Sequence, residues 1–276
     1  MKGPVRRTVR VPVRRAVPAV PRAMTSRDCS ATVFTWAPYG TDGVWHDNCY
    51  DYAFGLNNPR APERNVPGTM ARNSAAGLNF KSCTGIAKRV LEDYRGLAYK
   101  LGRSSTACRR GYYKVMNFVA PGYGDFHWYR ETKQVVYRTR PGDTVTSLAK
   151  FFRVPAPTIR MAYRRAHAPR SMTNGQIATN AQQELRRLNS LNQMTKTGRL
   201  VTGKVMLVPV KLWSHKQGFG AGPVIVDASG NTIKNPLRAN RNYGDLSYSK
   251  FCAAYCVKCD AGRLALARAR KAGTAN

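Results

Sequence analysis

The sequence predicts an α+β fold, because helical segments are followed by short aromatic strands. Residues 82–102 place apolar side chains at helical spacing, and Ser82 or Thr84 can cap this helix. Residues 111–119 and 125–130 are aromatic and β-branched runs separated by a Pro-Gly turn, which is typical of two strands. Helices followed by antiparallel strands indicate an α+β layout.

An earlier helix is predicted to begin at Cys49, within the sequence NCYDYAFG of residues 48–55. Asn48 can cap it, and YDYAF can form its first turns. A helix N-terminus presents free N–H groups, which lower the pKa of a cysteine thiol there. Cys49 is therefore a candidate nucleophile, and a buried core cysteine is the alternative.

A nucleophilic thiol needs a base, and the strand at residues 125–130, DFHWYR, offers one. Side chains alternate along a strand, so Asp125, His127 and Tyr129 are predicted to share one face. His127 is the predicted base.

The chain has 276 residues, and its 46 Lys and Arg against 14 Asp and Glu give a formal net charge of +32. Such an excess favours a polyanionic partner.

We expect no membrane-spanning helix, because no apolar run approaches about 18 residues. We also expect no secretion signal, because prolines and arginines interrupt the N-terminal segment.

Residues 1–23 are predicted to form an extended basic arm, with seven cations, no acid and four prolines. An arm of this kind can contact neighbouring subunits or polyanions. The arginines expected to contact anions are Arg6, Arg7, Arg10, Arg14, Arg15 and Arg22. At the other end, residues 260–276 are predicted to form a basic helix.

Seven cysteines make an odd count, so at least one thiol is unpaired within the chain. Without a secretion signal, we expect most of them to be reduced. Cys252, Cys256 and Cys259 lie in a segment predicted to be helical, residues 246–259, and their spacing favours buried thiols or one disulfide over zinc. We expect no metal and no cofactor.

Residues 135–210 form a unit of their own with the predicted order β, α, α, β, and Asp143 or Thr144 caps its first helix. Tyr137, RPGDTV (140–145) and the closing GKVMLVP (203–209) resemble a LysM domain. The resemblance implies binding of an N-acetylglucosamine-containing glycan, with Gly142, Asp143 and Thr144 as contacts. The unit is longer than is usual in that family, and a packing module without a ligand is the alternative.

The flanking segments, 24–134 and 211–259, resemble papain-like cysteine hydrolases of the NlpC type from bacteria and large DNA viruses. The motifs are NCYDYAFG, DFHWYR, WSHKQG (213–218) and VDASGNTIKNP (226–236). The resemblance implies a cysteine-bearing helix packed on an antiparallel sheet, with the 135–210 unit inserted into a hairpin. It also implies a third catalytic residue that fixes the tautomer of the base: His215, with Asp125 and Asp227 as alternatives.

Two functions are expected from these features. The first is a minor capsid protein inside the virion of a large, chlorovirus-like DNA virus. Its basic arm would contact capsid proteins, genomic DNA or the inner membrane surface. The second is an active cysteine peptidase or amidase that the LysM-like unit holds on cell-wall glycopeptide.

Overall fold

The computed structural model describes residues 33–36, 47–56, 65–71, 82–167, 198–218 and 223–272, and the predicted basic arm of residues 1–23 lies outside them. The helices in the described residues are α1 (Cys49–Phe54), α2 (Cys83–Asp93), α3 (Val145–Phe152), α4 (Ala156–His167) and α5 (Ala261–Lys271). The strands are β1 (Val33–Trp36), β2 (Ala98–Lys100), β3 (Tyr112–Ala120), β4 (Asp125–Arg138), β5 (Val205–His215), β6 (Asn242–Tyr243), β7 (Leu246–Ser247) and β8 (Lys250–Lys258).

One largely antiparallel sheet organises the molecule, which confirms the α+β class. Its strand order is β1-β4-β3-β8-β2, and β5 also pairs with β4. The β1–β4 pair is parallel, and the other pairs in this sheet are antiparallel. In the described residues, no helix combines the length and apolar character needed to cross a membrane.

Strand β4 is longer than predicted, because DFHWYR and the strand expected to open the 135–210 unit are one continuous strand. Its first half pairs with β3, and the stretch from Tyr129 to Arg138 pairs with β5. The expected boundaries at residues 134/135 and 210/211 therefore lie inside strands that run through both parts of the fold. Helices α3 and α4 lie between these two strands in the sequence.

Two helix predictions are corrected by the structure. The helix expected over residues 82–102 ends at Asp93, because Gly96 turns the chain with a φ of 71° before β2 begins. Residues 246–259 are not helical: they form β7 and β8, and β8 lies between β3 and β2. A strand covered on both faces is apolar throughout, which makes its sequence resemble that of a buried helix.

The predicted helix caps are placed by the structure at Asn48, Ser82 and Thr144. Each side chain accepts a hydrogen bond from a backbone N–H of the first turn. Of the basic helix predicted over residues 260–276, the structure shows Ala261–Lys271 as α5, and residues 273–276 lie outside the described residues.

Three apolar clusters hold these elements together. The first packs α1, α2 and α5 on β3 and β8, and the second packs α3 and α4 on β4 and β5. The third covers the other face of β3 near β6 and β7. Tyr52 of α1 belongs to the second cluster, so the cysteine-bearing helix contacts both parts of the fold.

The expectation that most cysteines are reduced is wrong. Disulfides join Cys83 to Cys252 and Cys108 to Cys256, and Cys259 is also disulfide-bonded. The sulfurs of β8 therefore crosslink the sheet to α2 and to the loop after β2. Among the described cysteines, Cys49 is the free thiol, and it is buried.

Candidate active site

Cys49 lies at the first position of α1, and the cap that starts this helix also fixes the cysteine. The Asn48 side-chain oxygen accepts hydrogen bonds from the backbone N–H groups of Tyr50 (2.8 Å) and Asp51 (2.9 Å). Its amide donates to the carbonyl oxygen of Asn65 at 2.7 Å. The Cys49 thiol donates to the carbonyl oxygen of Phe126, with Sγ and O 3.8 Å apart. The fold thus places Cys49 against β4, beside the residue that precedes His127.

His127 and His215 form a hydrogen-bonded pair across the β4–β5 ladder. The distance from His127 Nε2 to His215 Nδ1 is 2.8 Å, and that from His215 Nε2 to the Val226 carbonyl oxygen is also 2.8 Å. A carbonyl oxygen only accepts, so His215 Nε2 carries the proton and a neutral His215 accepts at Nδ1. His127 then donates from Nε2, and its Nδ1 is the basic nitrogen.

Tyrosines from the segment after β5 surround this histidine pair. The ring of Tyr248 stacks on His127 with centroids 4.8 Å apart, and its hydroxyl donates to Asp125 Oδ2 at 2.9 Å. The hydroxyl oxygen of Tyr243 lies 3.4 Å from His215 Nε2. Sequence reasoning missed both tyrosines. Tyr248 lies within residues 246–259, where the wrong helix prediction concealed its position, and the two-residue strand that carries Tyr243 gave no signal.

The two alternatives to His215 are engaged elsewhere. Asp227 Oδ1 accepts from the N–H groups of Ser229 and Asn231, and its Oδ2 accepts from that of Asn240. Asp227 therefore stabilises the turn that follows Val226 and presents the Val226 carbonyl to His215. Asp125 accepts from the hydroxyl of Tyr248. Of the three candidates, His215 is the one that hydrogen-bonds to His127.

Burial keeps both reacting groups neutral. It raises the pKa of the Cys49 thiol well above its usual range, and the charges of Asp125 and Asp51 raise it further. Burial also lowers the pKa of His127 well below its usual value, with a smaller contribution from His215, and lowers that of His215 to about 4. The predicted lowering of the thiol pKa is thus corrected: α1 has only six residues, and desolvation outweighs its terminal N–H groups.

A cleft of about 520 Å³ opens onto these groups. Cys49 and His127 both line it, together with Asn48, Val66, Asp125, Phe126, Gln217, Gly218, Tyr243, Leu246 and Tyr248. Its walls combine apolar surface with a few convergent polar groups, which is typical of a small-molecule or peptide site. The arrangement can hold a substrate carbonyl beside a thiol and a neutral imidazole.

The residues expected to contact a glycan lie at the start of α3. Asp143 Oδ2 accepts from the hydroxyl of Tyr137 (2.9 Å) and from the backbone N–H of Arg140 (2.6 Å). Thr144 caps α3, and Gly142 has a φ of 84° with open space around its Cα. Tyr137, Arg140 and Asp143 line a shallow cavity of about 270 Å³ with Ser147, Leu148 and Phe151. Through these two hydrogen bonds, Asp143 stabilises the loop that forms this cavity.

Metal binding by Cys252, Cys256 and Cys259 is not supported, since all three sulfurs are in disulfides. Over the described ranges, no group of three or more His, Cys, Asp and Glu side chains is arranged to hold a metal ion.

Comparison of the chain with family models, with curated proteins and with solved structures found no match in any of the three.

Proposed function

We propose that the chain is a cysteine hydrolase with a papain-like core, in which Cys49 is the nucleophile and His127 the base. The observation that carries the proposal is the His127–His215 hydrogen bond at the cleft that also exposes Cys49. That bond fixes the tautomer of His127 with Nδ1 unprotonated, which is the form a base needs.

In the proposed reaction, the Cys49 sulfur attacks the carbonyl carbon of an amide while its proton passes to His127 Nδ1. His215 Nδ1 accepts from the imidazolium that forms, and so stabilises it. His127 then gives the proton to the leaving amine, and water hydrolyses the thioester. Because burial keeps the thiol neutral, we expect proton transfer to accompany attack rather than to precede it.

We also propose that β4, α3, α4 and β5 form the LysM-like unit that the sequence resembles. The βααβ order, with both helices packed on the paired strand ends, supports this. Such a unit would hold an N-acetylglucosamine-containing glycan at the cavity beside Asp143, and the substrate would be a wall glycopeptide.

A minor capsid protein of a large DNA virus is the second candidate. The raised thiol pKa favours it, because a cysteine kept neutral by burial also suits a purely structural core. The net charge of +32 also suits a protein that contacts the genome, the inner membrane or neighbouring capsid proteins.

Replacing Cys49 by alanine is expected to lower turnover of wall peptides at least about 10³-fold, as loss of a covalent nucleophile does. His215→Phe should lower this turnover about 10²-fold, because it removes the acceptor that keeps the proton of His127 on Nε2. The assay is release of free amine from peptidoglycan fragments, with intact mass spectrometry to detect the thioester. As a matched control, Val115→Ala truncates a buried side chain that does not line the cleft.

A wild-type protein that hydrolyses nothing and forms no thioester would contradict the hydrolase. If Cys49→Ala were then incorporated into virus particles as well as wild type, the capsid role would be the one supported.

A further inference from the structure

The fold gathers an excess of cations on one end of the molecule. Residues 94–114 and 256–272 together contain eleven Lys and Arg and a single acid, Asp260. Asp260 is already paired with Lys258 (3.9 Å) and Arg263 (3.3 Å). We call the surface formed by these two segments the basic end face.

Several contacts show that the two segments form one surface. Strand β2 is the edge of the sheet and pairs with β8, and the disulfide from Cys108 to Cys256 holds the loop after β2 onto the same strand. The backbone N–H of Cys259 donates to the carbonyl oxygen of Gly111 at 3.1 Å. At the other end of α5, the Arg268 guanidinium donates to the carbonyl oxygen of Arg95 at 2.9 Å.

One arginine of this face is held in place before any ligand arrives. The guanidinium carbon of Arg109 lies 4.3 Å from the ring centroid of Tyr112 and 5.2 Å from that of Tyr99. Stacking restricts the rotamers of Arg109, so less entropy is lost when it contacts an anion. Lys100, Arg103 and Arg110 belong to the same segment and are exposed.

We propose that the basic end face binds the phosphate backbone of nucleic acid without reading its sequence. Seven of its eleven cations are arginines, whose planar fork matches phosphate oxygens in pairs. An anionic membrane is less well matched, because a peripheral membrane site normally adds apolar side chains that enter the lipid. In the described residues, the exposed large apolar side chains are Tyr123, Met161, Leu237 and Phe251, and all four lie outside this face.

The test compares triple variants that carry the same net charge. Lys100→Gln/Arg103→Gln/Arg110→Gln alters the basic end face, and Lys234→Gln/Arg238→Gln/Lys250→Gln alters exposed cations of a segment that also contains Asp227 and Asp245. A third variant, Arg160→Gln/Arg165→Gln/Lys204→Gln, alters exposed cations of α4 and of the turn before β5. Each full-length protein is titrated, by fluorescence anisotropy, into a labelled 20-mer DNA duplex over a range of salt concentrations.

The end-face variant is expected to reduce the slope of log K against log salt by about 2 to 3, since each lost phosphate contact removes about 0.9. The other two variants should each change the slope by less than about 1. Equal changes in all three would overturn the proposal in favour of diffuse attraction to net charge. So would an end-face effect seen with phosphatidylserine vesicles and absent with DNA. Thermal melting of each variant shows whether it is folded. The binding of DNA measured here does not depend on the chemistry of Cys49, so it can fail while the proposed hydrolase activity holds, and the reverse.

Discussion

Replacing Cys83 and Cys252 together by alanine is expected to lower the free energy of unfolding by about 3 to 4 kcal/mol. The disulfide between them spans a sequence separation of 169 residues, but the neighbouring disulfide from Cys108 to Cys256 stays in the variant. The additional loop that the Cys83–Cys252 crosslink closes therefore has only about 30 residues, and in the chain-entropy model a crosslink stabilises by restricting such a loop in the unfolded chain. Urea denaturation of the variant and the wild type measures the difference directly.

The Cys49→Ala variant is the control, because it removes a buried thiol and no crosslink. Cys49→Ala should lower the free energy of unfolding by about 1 kcal/mol or a little more, as truncating a small buried side chain does. A double variant that unfolds at the wild-type urea concentration would contradict the crosslink, as would a wild-type protein whose stability is insensitive to reducing agent.

Replacing Gly262 by alanine is expected to destabilise the protein by more than about 4 kcal/mol, or to prevent folding. Gly262 lies in the first turn of α5, where it packs on the end of α1. A Cβ atom there would lie 2.0 Å from the carbonyl oxygen of Gly55 and 2.6 Å from that of Phe54. Both are backbone atoms, and Gly55 is the C-cap of α1 with a φ of 66°. The clash can be relieved only by moving α5 away from the helix that bears Cys49.

Gly85 provides a matched control for this substitution. It lies inside α2, and a Cβ there would meet only ordinary contacts, 3.7 Å from the hydroxyl oxygen of Ser82. Gly85→Ala should therefore stabilise the protein by up to about 1 kcal/mol, because alanine is the better helix former. Thermal melting of both variants gives the comparison. If Gly262→Ala melted at or above the wild-type temperature, the close contact between α5 and α1 would be wrong.

Local signals in the sequence predicted the parts of the fold that local physics decides. Asn48, Ser82 and Thr144 marked helix starts correctly, because a cap depends on a few neighbouring residues. Alternation in DFHWYR placed His127 and Trp128 on opposite faces of β4 correctly.

Features decided by distant residues were predicted less well. The apolar run in β8 is a strand because β3 and β2 flank it, and neither neighbour is visible in the run itself. The disulfides were missed for a similar reason: Cys83 and Cys252 meet only after α2 packs beside β8. The pKa of Cys49 depends on burial by residues distant in the sequence, which the position at a helix N-terminus does not reveal.

The sequence identified most residues of the candidate site, but it did not predict how their side chains are arranged. Cys49, His127 and His215 were all identified as candidates; in the structure Cys49 and His127 line one cleft, and His215 hydrogen-bonds to His127. The choice among His215, Asp125 and Asp227 stayed open, because it depends on which side chain reaches the His127 ring. The stacking of Tyr248 on that ring was not predicted.

If Cys49 and His127 form one reactive unit, the rate at which iodoacetamide alkylates Cys49 depends on His127. We propose to measure this rate between pH 5 and 9. The variant for comparison is His127→Phe, which keeps an aromatic ring against Tyr248. Because the pKa of His127 is well below its usual value, the base stays neutral as the pH falls, and the wild-type rate should show no decline near pH 6.5. Without the base, alkylation needs the free thiolate, whose pKa is raised, so the variant's rate should rise about tenfold per pH unit. We predict a wild-type rate about 10²-fold above that of His127→Phe at pH 7; identical slow rates for the two proteins at every pH would contradict the claim.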